Sequence, residues 1–116
     1  MPRPRKFRRV CCAPLISQFG PLDHRITDEV IIMKIDEYET IRLIDVENMT
    51  QEECAIQMNV ARTSVQRIYN DARKKMGASL VLGHKIIIEG GNVEFAHHEN
   101  GQHRCQRHRH KSTPNL

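Results

Sequence analysis

Apolar residues along the chain follow two spacings. Glu29 to Ile35 reads EVIIMKI, a β-branched run suited to a short strand, and Lys85 to Glu89 reads KIIIE, a second one. Between them the period lengthens. In DEYETIRLIDV, residues 36–46, Tyr38, Ile41 and Ile44 recur at i, i+3 and i+6, with acids on the other side. That pattern predicts an amphipathic helix of about three turns. Asp36 is placed to cap it, with Glu39 three residues on as capping-box partner. The acids Glu37, Glu39, Asp45 and Glu47 read as its solvated face. Thr50 and Glu53 form a second capping box, so the next helix runs from about Gln51 to Met58. Asn59, tolerant of the left-handed conformation, stops it. A third helix begins near Arg62 or Thr63. Val65, Ile68, Ala72, Met76 and Leu80 keep one face apolar as far as Leu82, and Gly83 is a good stop. Gly77 is a weak point inside it.

The two strands flank the helices and can pair. The expected fold is therefore mainly α: a three-helix unit around a helix-turn-helix, with a short two-stranded β element and flexible basic termini. Pro2, Pro4 and Pro14 lie among basic residues, which predicts an extended arm over residues 1–20 that carries a cysteine pair. Residues 21–92 form the domain. Gly90-Gly91 closes the second strand, and residues 93–116 are polar, His- and Arg-rich and without periodicity, as a tail would be. The whole length of 116 residues fits one core, and with aromatics at 4% that core must be aliphatic.

QEECAIQMNVARTSVQRIYN, residues 51–70, has the positions that a helix-turn-helix demands. Ala55 is the small residue where the second helix packs closely. Asn59, four places later, accepts positive φ at the turn. Cys54, Met58, Val60, Val65 and Ile68 are the apolar contacts that lock the helices together. The same residues also suit two ordinary amphipathic helices of an all-α core; the joint agreement of small residue, turn residue and five apolar sites favours the motif, and the exposed face is also basic. Arg62, Arg67, Arg73, Lys74 and Lys75 stand against only Asp71 in residues 61–76. Net charge is +4, but residues 1–9 hold five bases and residues 104–116 four, with no acid in either. The middle keeps nine bases against all fourteen acids. A basic helix and two basic ends on an acidic body point to double-stranded DNA as partner.

The chain also resembles known families. Thr50 through Met76, with TQEE, NVARTSVQRI and ARKKM, is similar to region 4 of sigma factors, which reads the −35 promoter element. That likeness covers the helix-turn-helix alone and does not imply promoter initiation. MPRPRK at 1–6, Cys11-Cys12, DEYETIRLID at 36–45, QEECA at 51–55 and IEGG at 88–91 resemble an uncharacterised prokaryotic family of predicted DNA-binding proteins, over roughly residues 1–92. The resemblance implies DNA binding without naming a target.

In such a motif the second helix enters the major groove N-terminal end first. Arg62, Thr63, Gln66, Arg67 and Asn70 lie on its leading face, where Arg suits guanine and Gln or Asn suits adenine. Arg73, Lys74 and Lys75 follow and serve phosphates. Thr50 and Gln51 can offer free N–H groups of the preceding helix to phosphate. The arm with Arg3, Arg5 and Lys6 can enter an adjacent minor groove or, as the favoured reading, add non-specific phosphate attraction. Ala61 falls where Ser or Thr would cap the reading helix better. A dimer would present two such helices to two half-sites.

Cysteine and histidine open a second line. Cys54 belongs to the predicted core. Cys11 and Cys12 lie beside Arg8 and Arg9, which favour thiolate. Cys105, His108 and His110 form a Cys-x-x-His-x-His cluster in the tail. Together with the Cys pair they can supply zinc or an iron–sulfur cluster with ligands, although no Cys-x-x-Cys is present. The rivals to DNA binding are therefore a metal-binding or redox-sensing protein and an RNA-binding adaptor. Single-strand readers stack bases on aromatics, and Tyr69 is the one aromatic near the basic helix. No Gly-rich phosphate loop or Gly-x-Ser-x-Gly elbow occurs, so an enzyme is not expected. Without a membrane-length apolar run or a signal-like start, the expected address is the cytoplasm.

Overall fold

The computed structural model describes residues 7–23 and 29–95. Helices take up about half of them. In chain order come β1 (Arg8–Val10), β2 (Gln18–Phe19), β3 (Val30–Met33), α1 (Ile35–Thr40), a π-helical continuation (Ile41–Val46), α2 (Gln51–Met58), α3 (Arg62–Leu82), β4 (Lys85–Ile88) and β5 (Val93–Phe95).

The first helix starts two residues earlier than its acids suggest. β3 runs almost directly into it, leaving Lys34 extended at φ −72° and ψ 157° as the N-cap. Glu37 then becomes the third residue, and its Oε1 accepts from the Lys34 N–H at 2.9 Å. Asp36 sits inside the first turn, accepting from the Glu37 N–H at 3.1 Å. After Thr40 the helix widens, and the Glu47 N–H donates to the Arg42 carbonyl, five residues back, at 2.9 Å.

The second and third helices follow the sequence pattern closely. The Thr50 hydroxyl accepts from the Glu53 N–H at 3.0 Å, and Glu53 Oε1 accepts from the Thr50 N–H at 2.8 Å. Asn59 is left-handed at φ 61°, ψ 47° and ends α2. The Val60 N–H donates back to the Ala55 carbonyl at 3.0 Å, which folds the chain sharply into α3. Leu43, Cys54, Ala55, Met58 and Val65 pack as one apolar cluster, with Ile44, Met49 and Val60 at its margin. Gly83, left-handed at φ 76°, ends α3.

The sheet part is larger than a two-stranded element. β3 and β4 do pair, in parallel, with Ile31 opposite Ile86 and Met33 opposite Ile88. β2 adds antiparallel to the other edge of β4, making a three-stranded sheet. A separate parallel pair joins β1 to β5, Arg8 opposite Val93. Strands therefore form at 8–10, 18–19 and 93–95, where an arm and a tail are expected, and Val10 is fully buried. Pairing between residues some 85 positions apart leaves no periodic trace in either segment. Gly90 and Gly91 make this return possible. Both have positive φ, 82° and 106°, and a Cβ on Gly91 would lie 3.1 Å from Asp36 Oδ1. A second cluster, Met33, Ala72, Ile86 and Ile88, joins α3 to the sheet. The apolar stripe of α3 is buried through Ala72, but Met76 and Leu80 are 45% and 86% exposed, because the helix runs past the body it packs on.

Candidate nucleic-acid interface

The body of the domain holds α3 along one side only. Val65, Ile68 and Ala72 face inward and are buried. Thr63, Gln66, Arg67, Asn70 and Lys74 fall at i, i+3, i+4, i+7 and i+11, and all are exposed. At 3.6 residues per turn this is one continuous stripe. Arg62 and Arg73 are also exposed and flank it. The Arg73 guanidinium lies 5.4 Å from the centre of the Tyr69 ring, within cation–π range. The Tyr69 hydroxyl donates to Asp45 Oδ1 at 2.8 Å, tying α3 to the end of the first helix. Burial, and then this bond to Asp45, keep the phenol protonated above its ordinary range.

Three of the predicted contact residues, Lys75, Thr50 and Gln51, have acidic neighbours. Lys75 turns inward: its Nζ lies 2.7 Å from Glu37 Oε1 and donates to the Ile32 carbonyl at 2.8 Å. It is a strut between α3, the first helix and β3, and not a surface charge. At Thr50 and Gln51 the start of α2 is covered by the Glu53 carboxylate, and Glu52 adds a second acid in the same turn. Two negative groups therefore stand at this end of α2, beside Thr50 and Gln51. Arg3, Arg5 and Lys6 lie outside the described residues.

The acids of the first helix are the larger correction. Glu37 and Glu39 are buried, not solvated, and the Glu47 side chain is only 8% exposed, whereas Asp45 is exposed; Asp36, expected as the cap, is buried too. Arg8 lies 3.5 Å from Asp36. Arg42 donates from Nε and Nη2 to the two oxygens of Glu39 at 3.0 and 2.8 Å, and its Nη1 lies 3.7 Å from Glu47. Burial works against the Arg42 charge, but Glu39 and Glu47 more than offset it and hold the guanidinium protonated. The Cys11 N–H also donates to Glu39, at 3.2 Å. The signal that could have revealed this network was the supply of bases at Arg8, Arg42 and Lys75, but only Arg42 has its partners, Glu39 and Glu47, close by in the chain.

Cys54 is a core residue, as its position in the sequence implies. Burial first, and then nearby Glu39, push its thiol up to about 12, which leaves it unreactive at neutral pH. Cys12 is half-buried and forms no disulfide. Cys105, His108 and His110 lie outside the described residues, and within the described ones no three His, Cys, Asp or Glu side chains converge as a metal site would require. No helix among the described residues is long and apolar enough to cross a membrane.

The sequence profile of the family described as Protein of unknown function DUF134 matches residues 1–96. The chain belongs to this family. A UPF0251 protein of Desulfitobacterium hafniense (strain DSM 10664 / DCB-2) is 61% identical over 96 residues, which cover 82% of this chain and 77% of the relative. A UPF0251 protein of Thermoanaerobacter sp. (strain X514) is 45% identical over 112 residues, 95% of this chain and 98% of the relative. One from Chlorobaculum tepidum is 43% identical over 100 residues, 85% of this chain and 51% of that longer protein. No solved structure matches the chain. The family match takes in all the elements from β1 to β5, so the paired first and last strands belong to the shared domain.

Proposed function

We propose that the protein is a sequence-specific DNA-binding protein, a small transcriptional regulator whose α2, turn and α3 act as a helix-turn-helix. The observation that carries the reading is the exposed stripe Thr63, Gln66, Arg67, Asn70 and Lys74 on the helix that follows a tight left-handed turn at Asn59. A helix held by one buried face behind such a turn presents its other face to a groove about 12 Å wide. In this reading Arg67 pairs with a guanine edge, and Gln66 and Asn70 with adenine. Thr63 and Arg62 lead into the groove. Arg73 and Lys74 take phosphates. The buried pairing of Asp36, Glu37 and Glu39 with bases supports the reading too, since it removes negative charge that would repel DNA.

Selection of random duplex DNA by the purified full chain tests it. At about 150 mM salt, loose charge attraction is screened beyond roughly 8 Å. The expected result is an enriched motif whose selection is lost in Arg67→Ala. Recovery of unselected DNA, with affinity that collapses as salt rises, would reduce the stripe to a non-specific basic surface.

A further inference from the structure

Arg73 differs from the other exposed bases of α3, because its guanidinium has a fixed neighbour. It lies over the Tyr69 ring, one helical turn back, at 5.4 Å from the centre. Tyr69 is itself held twice. The residue is 8% exposed, and its hydroxyl donates at 2.8 Å to Asp45 Oδ1. Asp45 belongs to the π-helical stretch Ile41–Val46, a widened geometry that is rare and recurs at functional sites. Contacts therefore run from the end of the first helix, through a buried ring, to a cation on the surface.

The donors of Arg73 are left open by this arrangement. Attraction to the face of a ring is electrostatic and does not take a hydrogen-bond acceptor to satisfy the guanidinium. Arg73 enters no ion pair within 4.0 Å among the described residues. Its natural competitor is Asp45, which is exposed and held on the same tyrosine. A bidentate arginine–carboxylate pair would use the very donors that phosphate needs. The Tyr69 hydroxyl engages that carboxylate instead.

We propose that Tyr69 is a positioning residue for DNA: its ring preorganises Arg73 for a backbone phosphate, and its hydroxyl keeps Asp45 from taking that arginine. The proposal rests on the helix-turn-helix reading and adds to it two residues that meet no DNA themselves. Its physical basis is entropy. A long side chain ordered in the free protein gives up less freedom on binding than a mobile one. Lys74, exposed and without an ion pair among the described residues, supplies charge of the mobile kind. Phosphate contacts set the register of a reading helix, and a fixed arginine sets it more tightly than a mobile lysine.

Fluorescence anisotropy of the full chain on its selected duplex, over a salt series, tests this as a double-mutant cycle. Arg73→Ala should weaken binding and lower the salt slope by about one. Tyr69→Leu should weaken binding about threefold, the scale of an exposed cation–π contact, with the slope unchanged, since the charge is still delivered. In the Arg73→Ala background it should cost nothing further. If Tyr69→Leu fails to fold, Tyr69→Phe decides. It keeps the ring and the packing but releases Asp45, and its loss of about twofold should vanish in an Asp45→Ala background. A loss that persists without Arg73, or for Tyr69→Phe without Asp45, would make Tyr69 a structural residue only and overturn the proposal. Wild-type affinity in Arg73→Ala would overturn it too, and loss of the motif in Arg67→Ala would then leave the helix-turn-helix reading standing. A wild type that binds no DNA removes both.

Discussion

The first helix and α3 look alike on paper, each with an apolar side and a charged side, yet their charges are handled in opposite ways. The acids Asp36, Glu37 and Glu39 are buried and matched with Arg8, Lys75 and Arg42. On α3, Arg62, Arg67 and Lys74 stay exposed and form no ion pair among the described residues. The difference shows that amphipathic spacing identifies a helix without telling which side is the outer one. The first helix packs against both α3 and β1. Buried charge of this kind is tolerated only when paired. α3 is covered along one side, so Arg62, Arg67 and Lys74 on its other side stay open to solvent.

The sharpest way to break this contrast is to remove one buried partner. Glu39→Ala leaves the Arg42 guanidinium, 6% exposed, without its bidentate acceptor. Stranding a buried charge costs about 3–5 kcal/mol, a large share of a small domain's stability. Urea denaturation should therefore show severe destabilisation in Glu39→Ala and almost none in Lys74→Ala. Equal, small effects would mean that the acids are solvated after all.

Neighbouring lysines sharpen the contrast next. Lys75→Ala removes the base that holds Glu37 and should cost about 1–3 kcal/mol of stability. It should leave the salt dependence of DNA binding unchanged. Lys74→Ala should do the reverse: intact folding, weaker binding to all sequences and a salt slope lower by about one. Arg67→Ala should lose about 1–3 kcal/mol on the preferred site and relax its specificity. Fluorescence anisotropy over a salt series separates the three. If the two lysines behave alike, the inward and outward assignments are wrong.

Alkaline pH probes the core at the junction of the two regions. Below about pH 9 the Cys54 thiol is neutral in the folded and the unfolded chain alike. Above that the unfolded chain loses a proton that the folded one keeps until about pH 12. The unfolded state then binds fewer protons, so stability falls as pH rises, by at most about 1.4 kcal/mol per pH unit. Tyr69, also raised, acts in the same direction at higher pH. Denaturation midpoints at about pH 8 and pH 10.5 should diverge in the wild type and less so in Cys54→Ala. Parallel curves would show that the thiol is reached by solvent.

What could be read from the sequence divides along the same line. The second and third helices carry their own instructions: a capping box at Thr50 and Glu53, Asn59 at the turn, Gly83 at the end. Each signal lies within a few residues of what it controls. β3 and β4 were also legible, because their β-branched runs flank the helices. The pairing of β1 with β5 was not, nor was the partner of each acid on the first helix. Arg8 and Asp36, or Glu37 and Lys75, meet only after the chain has closed on itself. The surface stripe was legible because a helix converts spacing into a face. Lys75 was misassigned because a lysine stem is long enough to reach either side from the stripe's border. Met76 and Leu80 continue the period, but the body that would cover them ends earlier.

The smallest effect tests the exposed region at its weakest joint. Ala61 holds N-cap geometry, φ −72° and ψ 152°, with no side-chain bond to the first turn of α3. Ser at that position has an oxygen for the Thr63 or Ser64 N–H, and such caps are worth about 1 kcal/mol. Ala61→Ser should therefore raise the denaturation midpoint with no change in slope. Its effect on DNA separates two roles for the start of α3. If reading rests on the side chains of Gln66, Arg67 and Asn70, a turn further along, affinity should stay unchanged. A gain in stability paired with a loss of affinity would mean that the bare N–H groups held a phosphate, and that the missing cap is part of the interface.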